Sequence, residues 1–116
     1  MTVKDFAEIM GLKNWTPDAD LDVAVAGGYA GDMLSWVMGR ASEGSVWMTI
    51  MSNQNVAAVA LMADVSCVVL TENVAPDDEL IKQANSKGLP LFTSVLPTYE
   101  LSCRLGELMA DVKRDG

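Results

Sequence analysis

Short apolar segments alternate with helical patterns along most of the chain, and residues 21–40 form the first such unit. Residues 23–26 are too few for a helix and predict a strand that ends at Gly27 and Gly28. Apolar residues then recur at helical spacing from Met33 to Met38. Residues 46–51, 67–70 and 91–93 predict three further strands, each followed by a helical segment. The alternation predicts a three-layer α/β fold with a small, mostly parallel four-stranded sheet and helices on both faces.

The N-terminal segment predicts one more helix before the repeating units. Thr2 followed by Asp5 is the pattern of a helix start, and the apolar stripe after it ends at Gly11. Residues 13–20 contain a proline and predict a loop that brings Trp15 back onto the body as a packing anchor.

Composition limits the number of domains and the kinds of partner. The chain has 116 residues, which predicts a single domain over residues 1–116. It has 16 acidic and 8 basic side chains, and the net charge of -8 argues against nucleic acid and membrane surfaces as partners.

The most apolar segment, residues 56–70, is shorter than a membrane helix, which needs about 20 residues. Asp5 and Glu8 lie where a signal peptide would need an uninterrupted apolar region, so export is not indicated. A cytoplasmic protein is therefore expected.

Several catalytic sets are excluded by residues that the sequence lacks. The chain contains no histidine, which excludes Ser-His-Asp triads, Cys-His dyads and zinc sites built from cysteine and histidine. Cys67 and Cys103 have no CxxC spacing and are expected to be buried free thiols. A GxxxxGK[ST] motif is absent, so a P-loop is excluded. We therefore predict no catalytic residues, no metal and no cofactor.

Polar residues follow each predicted strand, where open parallel sheets bind their ligands. Backbone N–H groups at helix starts in this position can hold an anion. The predicted ligand-binding residues are Gly27, Gly28, Tyr29, Gly31, Asp32, Ser52, Asn53, Gln54, Asn55, Thr71 and Glu72. The glycines equally suit a tight turn, and residues 52–55 equally suit a helix cap. A small enzyme that uses acidic side chains at the same edge is an alternative to a binding module.

The helix predicted over residues 56–63, VAAVALMA, is apolar on all sides rather than along one stripe. Such a helix must be covered all round, which predicts a homodimer. The predicted interface residues are Ala57, Ala58, Leu61, Met62, Met33 and Trp36. The alanines would equally suit close packing of this helix against the sheet.

The segment GGYAGDMLSWVMGRASEGSVWMTIMSNQNVAAVALMADVSCVVLTENVAPDDELIKQANSKGLPLFTSVLPTYELSCRL resembles the DRTGG domain. The resemblance covers about residues 20–106 and lies in the order of elements, the unit after GSVWMTIMSNQN, and the segments VVLTENVAPDDELIKQA and GLPLFTS. It implies a non-catalytic α/β module that regulates larger enzymes or forms short stand-alone proteins described as HPr serine kinase-like. In pyrophosphatases of the family, the domain lies beside nucleotide-sensing modules at a dimer interface. Stand-alone relatives are associated with anaerobic redox and hydrogenase systems.

Three hypotheses for the function follow from the residues and the resemblance. The first is a non-catalytic regulatory or protein-interaction module that forms a homodimer and binds a nucleotide or another small anion. The second is an accessory subunit of an anaerobic, hydrogenase-type redox system. The third is the small enzyme that uses acidic residues. A partner enzyme is expected for the first two.

Overall fold

The computed structural model contains a five-stranded mixed sheet with helices on both sides. It describes residues 1–115, with side chains as far as Lys113. The elements in chain order are α1 (Val3–Met10), β1 (Lys13–Asn14), β2 (Gly27–Ala30), α2 (Leu34–Arg40), β3 (Ser45–Thr49), α3 (Asn55–Ala63), β4 (Cys67–Leu70), α4 (Asp78–Lys87), β5 (Leu91–Thr93) and α5 (Thr98–Asp115). None of these helices is long and apolar enough to cross a membrane.

The strand order is β1-β5-β4-β3-β2. Strands β2 to β5 are parallel to one another, and β1 is antiparallel to β5. The predicted α/β architecture with helices on both faces is confirmed. The prediction of four strands is wrong, because β1 adds a fifth, antiparallel strand at one edge of the sheet.

The parallel strands follow one another across the sheet in a single direction. Crossovers of the same handedness therefore place the three connecting helices on one face of the sheet. The buried residues form two core clusters, one on each face, which agree with this placement of the helices. On one face, α2, α3 and α4 pack against Trp47 and Val68. On the other face, α1 and α5 pack against Met48 and Val69. Because successive side chains of a strand point to opposite faces, β3 and β4 are buried on both sides.

The first parallel strand lies four residues later than the sequence predicts. Residues 23–26 precede β2, and Thr2 at the start of α1 forms an antiparallel bridge with Ala24 in this segment. Both glycines belong to β2, and α5 lies very close to the second of them, Gly28. A Cβ atom at Gly28 would lie only 2.5 Å from Cδ2 of Leu105. Of the apolar run, only Val25 is buried, and residues 23, 24 and 26 are exposed. The glycines form part of the strand rather than the turn after it.

The N-terminal strap, residues 1–16, crosses the α1–α5 face from the β2 side of the sheet to the β5 side. Its helix α1 buries Phe6 completely in the core. Strand β1 then pairs with β5, where Lys13 lies opposite Thr93. The indole N–H of Trp15 donates to Oγ1 of Thr93 at 3.0 Å, and Nζ of Lys13 lies 4.1 Å from the centroid of the indole ring. The segment that the sequence predicts as a loop therefore fastens the N-terminus to the far edge of the sheet.

Candidate functional site

Four loops follow the carboxyl ends of the parallel strands, and we call the edge of the sheet where they lie the rim. The rim loops are residues 31–33, 50–54, 71–77 and 94–97. Of the predicted ligand-binding residues, the rim contains Gly31, Asp32, Ser52, Asn53, Gln54, Thr71 and Glu72, and Asn55 begins α3 next to it. The fold thus brings most of the predicted set to one edge of the sheet.

The carboxylate of Asp32 joins the first two rim loops. Its Oδ1 accepts hydrogen bonds from Oγ1 of Thr49 at 2.8 Å and from the N–H of Ile50 at 2.9 Å. Oγ1 of Thr49 in turn accepts the N–H of Met51 at 3.1 Å. Thr49 is fully buried, so this network lies partly inside the protein. Asp32 therefore holds the two loops together.

Ser52 and Asp77 join the second and third rim loops. Oγ of Ser52 donates to Oδ1 of Asp77 at 3.1 Å, and the N–H of Asp77 donates to the carbonyl oxygen of Ser52 at 2.9 Å. Oδ1 of Asn53 accepts the N–H of Asn55 at 2.9 Å. Asn53 is thus a turn residue at the entry to α3, whereas the N-cap residue is Gln54, whose side chain makes no capping hydrogen bond.

Thr71 and Glu72 join the third rim loop to the start of α5. The hydroxyl groups of Thr71 and Thr98 share a short hydrogen bond, and Oε2 of Glu72 accepts the N–H of Thr98 at 2.8 Å. Glu72 and Asn73 have φ values of 59° and 60°, a left-handed conformation that costs roughly 1–2 kcal/mol for a residue with a Cβ atom. Their N–H groups donate to carbonyl oxygens of the fourth rim loop, which holds this conformation in place.

The rim is acidic. It contains the carboxylates of Asp32, Glu72 and Asp77, and its four loops contain no lysine and no arginine. A bound anion would meet three carboxylates and would depend on backbone N–H groups for its hydrogen bonds. The charge of the rim therefore disfavours a free polyphosphate.

The other predicted ligand-binding residues lie in β2 itself. Gly27 and Gly28 line a groove of about 360 Å³ between β2 and α5. Tyr29 packs against the core cluster on the opposite face of the sheet. Because β2 begins at Gly27 rather than ending there, these three residues do not join the rim.

The predicted interface residues divide between the core and the surface. Four of the predicted residues are large, apolar and exposed: Met33 (58%), Trp36 (50%), Leu61 (44%) and Met62 (70%). We call these four, with exposed Ala58, the α2–α3 surface. Ala57 is 3% exposed and belongs to the protomer's own core. One face of α3 is thus covered by the protomer, and the other face is apolar and open.

The two cysteines lie in different environments. Cys67 in β4 is fully buried, and desolvation raises the pKa of its thiol to about 12, so the reactive thiolate is disfavoured. The prediction that both thiols are buried is wrong for Cys103, which is exposed. The helix α5 buries Leu101 and Leu105, four residues apart, and this directs residue 103 away from the core. Across the described residues, no group of three or more cysteine, aspartate or glutamate side chains is placed to hold a metal ion.

The open sheet, the rim loops and the uncovered helix face belong to a small α/β domain. The family model of the DRTGG domain matches residues 19–108, most of the chain. The chain therefore belongs to the DRTGG domain family, and the resemblance predicted from the sequence is confirmed.

The fold is similar to the crystal structure of the CBS and DRTGG domains of the regulatory region of Clostridium perfringens pyrophosphatase, complexed with the activator diadenosine tetraphosphate. The TM-score is 0.64 and the sequence identity is 16%, so this likeness concerns the fold. The match covers 90% of this chain and 45% of that one, so the chain spans about half the length of that regulatory region. A comparison with curated protein sequences gives no match.

Proposed function

We propose that this chain is a non-catalytic regulatory module that works as a homodimer joined through the α2–α3 surface. The exposure of four large apolar side chains on neighbouring helices carries the proposal. Membership of the DRTGG family supports a regulatory role, because a DRTGG domain is part of the regulatory region of the clostridial pyrophosphatase. A partner enzyme is then the target of the regulation.

The α2–α3 surface has the composition of an interface centre. Tryptophan, methionine and arginine are enriched at protein interfaces, and tryptophan and arginine contribute most to binding energy. The guanidinium carbon of Arg40 lies 3.9 Å from the centroid of the Trp36 ring, so each side chain restricts the other before association. A two-fold axis through this surface would bury the same apolar residues from both copies.

Two substitutions on the α2–α3 surface test the dimer. Trp36→Ser and Met62→Lys should each weaken self-association at least about tenfold, because each removes an apolar contact from the centre of the interface. Sedimentation equilibrium over a range of concentrations measures the effect. Ile9→Ser is the matched control, since Ile9 is 60% exposed but lies on α1, on the opposite face of the sheet. A monomeric mass for the unchanged chain at every concentration would refute the dimer.

We propose further that the rim binds a nucleotide whose phosphates are complexed with Mg²⁺. Support comes from the four loops that follow parallel strands, since ligands of open α/β sheets bind at this edge. The Mg²⁺ ion would neutralise part of the phosphate charge, which the three rim carboxylates would otherwise repel.

Thermal unfolding with ATP, in the presence and absence of Mg²⁺, tests the nucleotide. We expect the complexed form to raise Tm and ATP alone to leave it unchanged, since a ligand at 100 times its Kd stabilises the folded state by about 2.7 kcal/mol. Glu72→Gln keeps an oxygen acceptor for the N–H of Thr98 and removes one negative charge, so ATP alone should then raise Tm. Glu43→Gln is the control, because Glu43 precedes β3 at the opposite edge of the sheet. A Tm that responds to neither form of ATP would contradict nucleotide binding and leave the dimer proposal intact.

A further inference from the structure

A groove runs between α1 and α5, on the face of the sheet opposite the α2–α3 surface. It consists of two adjoining depressions of about 500 Å³ and 310 Å³, which share Ile9 and Leu108. Ile9 is 60% exposed on one wall, and Val112 is 41% exposed on the other. Met10 and Leu108 are half-buried between them. The centre of the α1–α5 groove is therefore apolar and open to solvent.

The border of the α1–α5 groove is acidic. Five carboxylates line it, those of Asp5, Glu8, Glu100, Glu107 and Asp111. Arg104 and Met1 with its N-terminal amine also line the groove, and the guanidinium of Arg104 is paired with Glu100 at 3.2 Å. Apolar side chains flanked by carboxylates match an occupant that is apolar on one side and positively charged at its margins.

The length of the groove indicates the shape of the occupant. The α5 wall extends from Glu100 to Val112, which is about 18 Å at the rise of an α-helix. That length corresponds to about three helical turns. Much of the groove also lies outside the family match over residues 19–108, since α1 precedes the matched segment and Val112 follows it.

We propose that the α1–α5 groove docks a basic amphipathic helix of a partner protein. Apolar side chains of the helix, spaced at i, i+4 and i+7, would lie between Ile9 and Val112, and flanking lysines or arginines would face the carboxylates of the border. A second copy of this chain is a poor occupant, because its net charge of -8 repels the same carboxylates. The proposal is independent of the α2–α3 dimer and of the ligand at the rim.

A synthetic peptide tests the docking. The probe is a fluorescently labelled amphipathic helix of leucine and lysine, about 14 residues long to fill the groove, and the matched probe has glutamate in place of lysine. Fluorescence anisotropy with the full chain measures binding. We expect the leucine–lysine peptide to bind and the leucine–glutamate peptide not to bind. Binding should weaken severalfold between about 0.05 M and about 0.3 M salt, because salt screens the carboxylates.

Matched variants place the peptide on the molecule. Ile9→Ser removes an apolar wall and Glu107→Lys reverses a charge at the border, and each should weaken binding at least about fivefold. Trp36→Ser and Glu43→Lys make the same kinds of change outside the groove and should leave binding within about twofold of the unchanged chain. The proposal is overturned if the leucine–lysine peptide does not bind. It is equally overturned if the two controls weaken binding as much as the groove variants do.

Discussion

Thr16 is a fully buried polar residue that joins the N-terminal strap to the sheet. Its Oγ1 accepts the N–H of Leu91 at 3.0 Å, and its hydroxyl also contacts Oδ1 of Asn14 at 3.2 Å. The proline and aspartates that follow Thr16 predict a loop. They do not predict the hydrogen bond to the sheet, because Leu91 lies 75 residues away along the chain.

Removing the hydroxyl of Thr16 should destabilise the fold. We expect Thr16→Val to lower the free energy of unfolding by about 1–3 kcal/mol, because the buried N–H of Leu91 loses its acceptor. Thr16→Ser keeps the hydroxyl and should lower the free energy of unfolding by less than Thr16→Val does. Urea unfolding measures both variants, and an unchanged m value would show that the same surface is exposed. Equal stability of Thr16→Val and the unchanged chain would mean that the hydrogen bond contributes nothing.

The rim residues show what sequence can and cannot predict about a site. The positions of the loops are predictable at three of the four strands, because strand ends and turns are local features. The partners of Asp32, Ser52 and Glu72 lie 17, 25 and 26 residues away and are brought to them by the fold. Side chains that look available to a ligand are thus bonded to other parts of the protein, and the sequence alone does not reveal this.

At the scale of elements, α1 begins with a reciprocal pair of hydrogen bonds. Oδ2 of Asp5 accepts the N–H of Thr2 at 3.0 Å, and Oγ1 of Thr2 accepts the N–H of Asp5 at 3.2 Å. This capping box agrees with the predicted helix start. The sequence predicts the start because a capping box depends on only two residues, three positions apart. Hydrogen bonds with the backbone and side chain of Thr2 lower the pKa of Asp5 below its ordinary value of 3.8.

The capping box should make stability depend on pH. Because the folded pKa of Asp5 is lowered, the folded state favours the charged carboxylate, and its stabilisation is present above the unfolded pKa and lost as the pH falls through the folded pKa. Asp5→Asn should therefore unfold at a lower urea concentration than the unchanged chain at pH about 7, and the difference should shrink as the pH falls below 3.8, the ordinary pKa. Asp18→Asn, in the loop after β1, is the control. A difference that stays constant across this pH range would contradict a role for the charge.

Elements marked by local signals are the ones that the sequence predicts well. Gly11 and Gly88 cap α1 and α4 with φ values of 62° and 68°, which glycine adopts readily, and both helices end where the sequence predicts. β4 and β5 likewise have their predicted bounds. β1 has two residues and becomes a strand only by pairing with β5, whereas β2 contains two glycines, which are uncommon in strands. The missed strand β1 and the misplaced strand β2 are therefore both defined by tertiary contacts.

At the scale of the whole molecule, the charge of the chain opposes the proposed dimer. Each protomer has a net charge of -8, so two protomers repel each other while the α2–α3 surface attracts them. We expect the dimer to tighten severalfold between about 0.1 M and about 1 M salt, as the Debye length falls from about 10 Å to about 3 Å. Sedimentation equilibrium at each salt concentration measures this. A dimer held by ion pairs would instead weaken as the salt concentration rises, because salt screens the attraction between opposite charges.

The N-terminal strap also has a consequence for the newly made chain. Lys13 of the strap pairs opposite Thr93, so 80 residues must be synthesised before β1 meets its partner. At the usual speed of translation, roughly 5–20 residues per second, this takes roughly 4–16 s. Phe6, fully buried in the finished molecule, belongs to the same core cluster as Leu101 and Leu105 of α5, so its cover is incomplete until that helix has been synthesised. The first helix to be synthesised therefore completes its packing only when the last helix is present.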